Sequence, residues 1–252
     1  IMKKSFKLML IFALGAGVLT LNSCSDDLEE EENPIPATPT CYMTSLTVDG
    51  TTTDFLYNSY NQVVESIEDG DTTTYEYSGG RLISVYDGDV EATFIYASGD
   101  LPERINVKDA GVDDGYLLLE GSNGNITKLE IYDDAGEVTQ VTNVTYDANG
   151  NALSVLVQSW DEEQMKLVTQ LQVTNILTDG KKNPYATSLA LVFANLESPL
   201  VFGQSNIISG NAAFMGQNIP ITGTHTYNSN NYPTTSDVAE GLYTGTYTFD
   251  CK

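Results

Sequence analysis

Three cysteines, a single histidine and 35 carboxylates are the side chains with which this 252-residue chain could do covalent, metal or acid–base chemistry. The histidine, His225, sits in Thr222-Gly223-Thr224-His225-Thr226-Tyr227, a strand-like run with no partner cysteine beside it. Cys41 and Cys251 lie at opposite ends of the chain, so neither reads as a nucleophile with an adjacent base. One histidine and two terminal cysteines also fall short of a spaced four-ligand zinc set. With so many carboxylates, an Asp–Glu pair of the kind that hydrolyses glycosides is expected somewhere by number alone and carries little information. The densest groups are Asp109, Asp113 and Asp114 in one loop, and Asp161, Glu162 and Glu163 beside Trp160. Neither has EF-hand spacing, and Asp109, Asp113 and Asp114 remain weak calcium candidates against the reading of a solvated turn. Trp160 precedes a polar turn instead of lying inside an apolar run, which makes it the ligand-contact candidate among the aromatic residues. Most of the 15 tyrosines end short apolar runs, where a large ring packs and its hydroxyl reaches water or a turn.

Those residues must be held by elements whose nature the composition restricts. Eleven basic against 35 acidic side chains give a net charge of -24, which removes nucleic acid as a partner, since phosphate binding needs a basic face. A hydrophobic share of 41% with 10% aromatic content predicts a folded core rather than an acidic disordered chain. From residue 43 onward, short runs rich in Val, Ile, Thr, Tyr and Phe are separated by Asp-Gly, Asn-Gly and Gly-Asp clusters, most of them about 8–12 residues apart. That spacing fits one strand and one hairpin turn and leaves no room for helical crossovers. It predicts an all-β, antiparallel meander forming a curved sheet or open barrel. One segment breaks the pattern: Pro184 is followed by Tyr185, Leu189, Leu191, Val192, Phe193 and Leu196, with Glu197-Ser198-Pro199 after them. This predicts one helix over about 184–197, packed on the concave face of the sheet.

The N-terminal segment is read separately. Lys3, Lys4 and Lys7 precede an apolar run from Leu8 to Leu21, about 14 residues and shorter than the roughly 20 that cross a bilayer, so residues 1–23 read as a signal peptide. The run ends in Leu21-Asn22-Ser23-Cys24, which resembles the bacterial lipobox, and the resemblance implies lipidation at Cys24. Ser25, Asp26 and Asp27, followed by Glu29-Glu30-Glu31-Glu32, resemble the surface-export signal of Bacteroidota lipoproteins. That resemblance implies outer-membrane anchoring through Cys24 and display on the cell surface, the alternative being a solvated acidic tether. Residues 24–40, acidic and with Pro34, Pro36 and Pro39, read as an extended tether, leaving 41–252 as a single β-rich domain. Export passes the chain through an oxidising compartment, so the placement of Cys41 and Cys251 predicts a bond joining the termini, with two separately buried thiols as the alternative.

An internal repeat lies within the meander. Tyr132-Asp133-Asp134-Ala135-Gly136 matches Tyr146-Asp147-Ala148-Asn149-Gly150, and looser copies begin at Tyr57, Tyr77, Tyr96 and Tyr227. These segments resemble the YD, or RHS-like, repeat. Together with Lys181-Lys182-Asn183-Pro184-Tyr185 and the export features, they resemble a domain-of-unknown-function family of Bacteroidales surface lipoproteins. The resemblance implies fold and location, with no catalytic residue and no cofactor to carry over. The expected role is non-catalytic binding of a glycan, peptide or partner lipoprotein. A structural or assembly role at the cell surface and a carboxylate-dependent glycan hydrolase are the alternatives.

Overall fold

A computed structural model describes residues 41–122, 124–187, 202–214, 216–239 and 243–251. Its first eight strands are β1 (Cys41–Val48), β2 (Thr51–Tyr57), β3 (Val63–Glu68), β4 (Asp71–Ser78), β5 (Arg81–Asp87), β6 (Val90–Ile95), β7 (Arg104–Asp109) and β8 (Val112–Ser122). The remainder are β9 (Asn125–Tyr132), β10 (Val138–Tyr146), β11 (Ala152–Asp161), β12 (Lys166–Lys182), β13 (Ser205–Phe214), β14 (Gln217–Tyr227), β15 (Pro233–Val238) and β16 (Tyr243–Cys251). Each strand pairs antiparallel with its neighbours in sequence, and β1 pairs with β16, so the meander closes into a barrel. The open sheet or open barrel expected from the sequence is thereby corrected. Closure leaves no row of unpaired backbone donors and acceptors along either terminal strand. The seam runs from Cys41 opposite Cys251 to Val48 opposite Gly245, and a disulfide joins Cys41 to Cys251 at its start.

The expected helix is also corrected where the structure describes it. Pro184–Thr187 is a single 3-10 turn, and residues 188–197 lie outside the described residues. Asn183 sets that turn: its backbone NH donates to the Gln204 carbonyl, its Oδ1 accepts from the Tyr185 NH at 3.0 Å, and its Nδ2 donates to the Gly203 carbonyl. Pro184 and Tyr185 are buried, with the Tyr185 ring edge-on to Tyr247. The two preceding lysines lie against rings, Lys181 over Tyr227 at 3.7 Å and Lys182 over Tyr232 at 4.4 Å. The Lys181–Tyr185 motif is therefore a docking segment, each of its residues tied to the barrel end or to the chain returning from it.

Side chains alternate across the wall. On β4, Thr73 and Tyr75 are buried while Asp71, Thr72 and Glu76 are exposed; on β16, Gly245 and Tyr247 are buried between exposed Thr244, Thr246 and Thr248. The inward side chains, among them Met43, Val63, Val85, Leu129, Val155 and Val173, form one apolar cluster in which these six are at most 2% exposed. A round barrel of 16 strands encloses a wet lumen. Burial this complete around the circumference means a dry interior along these residues, and the outward face is the polar one.

The repeat tyrosines explain part of that interior. Tyr57, Tyr96 and Tyr146 point inward at strand ends and donate to the carbonyls of Met43, Leu82 and Ile126 at 2.6, 2.9 and 2.8 Å. Burial pushes the Tyr96 hydroxyl up to about 12. Tyr77 occupies the equivalent strand end, but its buried hydroxyl has no hydrogen-bond partner among the described residues. Removing a bonded buried hydroxyl orphans its acceptor, whereas removing an unbonded one relieves a desolvation cost. Tyr57→Phe, Tyr96→Phe and Tyr146→Phe are expected to cost about 1 kcal/mol each, and Tyr77→Phe to be neutral or stabilising, in urea unfolding.

Four turns share one geometry. At Asn58, Asp133, Asp147 and Asn228 the side-chain Oδ1 accepts two backbone NH groups, and the backbone carbonyl accepts a third from the residue three positions on. The residue three positions on is Asn61, Gly136, Gly150 or Asn231, each with positive φ, which glycine and asparagine tolerate. The Tyr-Asp repeat is thus a turn code that Asn fulfils as well as Asp.

Candidate ligand-binding groove

The outer wall is not evenly convex. A register shift falls between Met43 and Ser45 on β1 and another between Thr226 and Tyr227 on β14, one on either side of β15 and β16. Bulges increase local twist, and a strongly twisted wall is concave along one diagonal. Here a groove of about 380 Å³ opens across β1, β14, β15 and β16. Six threonines line it, namely Thr47, Thr224, Thr226, Thr235, Thr244 and Thr246, together with Asp49, Asp237, His225 and Ser236. Some of these hydroxyls pair with one another, Thr226 with Thr235 at 2.6 Å and Thr47 with Thr52 at 2.8 Å, while Thr244 donates to the Asp49 carboxylate at 3.3 Å. No Phe, Tyr, Trp, Lys or Arg is among the described residues lining the groove.

Beneath it lies a buried chain of hydroxyls. His225 Nε2 is 2.9 Å from the Ile207 carbonyl oxygen, which only accepts, so that nitrogen carries the proton and Nδ1 accepts from the Ser236 hydroxyl at 2.8 Å. Ser236 also meets Tyr247, whose hydroxyl bonds Tyr243 at 2.9 Å, and Tyr243 bonds Tyr185 in turn. Burial raises the hydroxyls of Tyr185, Tyr243 and Tyr247 above the ordinary phenol range. Gly245 makes room for this chain, since a Cβ there would lie 2.7 Å from the Tyr247 hydroxyl and 2.9 Å from that of Tyr243. A Ser–His contact invites a hydrolase reading, but here the histidine's far nitrogen is held by a backbone carbonyl instead of a carboxylate. Ser236 is also 5% exposed, so the pair acts as a floor brace.

The residues singled out from the sequence are dispersed. Trp160 stands on the outer wall of β11 opposite Leu167, 41% exposed and away from the groove. Asp109, Asp113 and Asp114 sit at the β7–β8 hairpin, and no group of three or more His, Cys, Asp or Glu among the described residues is placed to hold a metal ion. Cys24, Ser25, Asp26 and Asp27 lie outside the described residues. The groove itself was missed, although alternate threonines in residues 222–226 and 244–248 signal two strands that present a hydroxylated outer face.

Carboxylates at the barrel rim affect one another. Burial raises the Asp87 carboxyl above the usual range, with Asp71 and Glu68 adding repulsion; Asp114 is raised likewise, by burial and then by Asp109 and Asp134. Backbone NH donation, from Asn151 first, holds Asp147 below that range. A carboxyl raised in the folded state binds its proton more tightly folded than unfolded, so stability falls as pH rises through the window between the two values. Asp87→Asn is therefore expected to stabilise at pH 7, by less than about 1 kcal/mol after solvent screening, and to be neutral at pH 3. Asp147 has the opposite sign, its contribution being present above the unfolded value and lost on acidification. Urea midpoints of both Asn variants across pH 3–7 read the difference.

No protein-family model matches the chain, and no curated protein matches it. Among solved structures it is similar to a porin-like protein from Bacteroides uniformis ATCC 8492, with 13% identity, a TM-score of 0.54, and coverage of 82% of this chain and 98% of that one. A porin-like protein from Bacteroides vulgatus ATCC 8482 is similar at 12% identity and a TM-score of 0.58, covering 84% and 99%. At such identities the likeness shows a shared all-β barrel fold.

Proposed function

We propose that this chain is a lipid-anchored barrel displayed at the outer-membrane surface, where it binds a ligand without catalysis. The observation that carries this reading is the polarity of the wall: exposed Thr, Asp and Glu face outward and the apolar cluster faces inward. A membrane-spanning barrel has the reverse arrangement, an apolar belt outside and a polar interior. A barrel whose wall is wetted needs another attachment, and a lipid at Cys24 supplies one. Cys41 lies at one end of β1, while Thr47 and Asp49 of the groove lie at the other, so a tether attached at Cys41 would leave the groove toward the end of the wall remote from the anchor. The reading of binding without catalysis is supported by the lining, where hydroxyls and two carboxylates dominate and the one base–hydroxyl pair, His225 with Ser236, has a serine that is 5% exposed and a histidine held by a backbone carbonyl.

Metabolic labelling with a fatty acid, combined with protease treatment of intact cells, tests the reading. The wild-type chain is expected to take the label and be cleaved on intact cells, and Cys24→Ala to lose the label and the membrane association. Membrane association unchanged in Cys24→Ala, or protection of the wild-type chain in intact cells, would overturn it.

A further inference from the structure

The groove's lining restricts what it can hold. We infer that it takes a sugar unit of one to two rings that carries no negative charge, and that it favours one bearing an amine. This rests on the binding role proposed above and specifies its ligand. Each threonine hydroxyl both donates and accepts, which suits a ligand with many hydroxyls of its own, and each threonine methyl covers a C–H face. Asp49 and Asp237 accept only, so they add affinity for an ammonium group and repel a carboxylate or sulfate. No Lys or Arg is among the described lining residues, and the net charge of -24 acts in the same direction at longer range. The groove volume of about 380 Å³ falls at the small end of ligand sites, roughly 300–1,000 Å³. Without a Phe, Tyr or Trp to stack on, recognition is by hydroxyl contacts, so loss of individual threonines should register directly.

Calorimetric titration of the full chain with two-ring oligomers of glucosamine, glucose and glucuronate compares cationic, neutral and anionic forms of one ring. Glucosamine is expected to bind tightest and glucuronate at least tenfold more weakly than glucose. Asp49→Asn with Asp237→Asn should abolish the preference for glucosamine while retaining glucose binding. Thr235→Val with Thr246→Val should weaken glucosamine and glucose by tenfold or more, and Trp160→Ala should change neither. Glucuronate binding as tightly as glucose, indifference to the threonine variants, or no saturation by any of the three would overturn the inference. Because lipid labelling and protease access do not depend on sugar, surface display with no sugar binding removes this ligand class alone, whereas failed display removes the role on which it rests.

Discussion

Replacing Cys251 by serine is expected to cost about 3–5 kcal/mol and to lower the melting temperature by on the order of 10 °C. The bond spans 210 residues, and closing a loop that long restricts the unfolded chain by about 5 kcal/mol in the chain-entropy account. Its position adds a second consequence. Among the described strands, β1 and β16 are the one neighbouring pair that is not consecutive in the chain, so opening their seam releases two edges at once. Urea unfolding of oxidised wild type against Cys251→Ser measures the effect, and an unchanged midpoint would show that pairing along the seam closes the barrel unaided.

Gly115→Ala should be nearly as damaging, at about 3–5 kcal/mol. Gly115 lies in β8 beside the register shift between Val107 and Lys108, at φ +114, and a Cβ there would come within 2.1 Å of the Tyr132 carbonyl oxygen. Backbone strain of about 1–3 kcal/mol adds to overlap of about 1–3 kcal/mol against a backbone atom of β9 that cannot swing aside. Gly111→Ala is the control. Its φ is +78 with open space around it, so only about 1 kcal/mol of conformational strain is expected. Thermal melts of the two variants separate a steric requirement from a turn preference.

The strand-and-turn plan was legible because its signals are local: period-two alternation on each strand, and Asn, Asp or Gly where φ is positive. Even the repeat had a readable cause once Asn58 and Asn228 were seen to do the work of Asp133 and Asp147. Closure was less legible: the placement of Cys41 and Cys251 predicts a bond joining the termini, but the pairing of β1 with β16 along the whole seam is a contact between chain ends that no local pattern encodes. The helix prediction followed apolar spacing after Pro184, whereas Asn183 and buried Tyr185 turn the described part into a 3-10 docking segment. Tyr132 shows the same limit at a site. Its sequence copy Tyr146 points inward to the Ile126 carbonyl, but Tyr132 stacks on Tyr116 at 4.5 Å, with Arg104 over Tyr116 at 3.6 Å, because the two turns sit at opposite ends of β10. Trp160 stands out in the sequence because it precedes a polar turn, while the groove depends on threonines from segments some 200 residues apart that meet only when the seam closes.

In the proposed arrangement water, and not lipid, wets the outer wall. Flotation of purified Cys24→Ala chain with lipid vesicles on a density gradient tests it most directly. The detergent-free chain is expected to stay folded in the aqueous fractions and open to protease. Co-flotation with vesicles together with protease protection would contradict it and make the wall a membrane-spanning one.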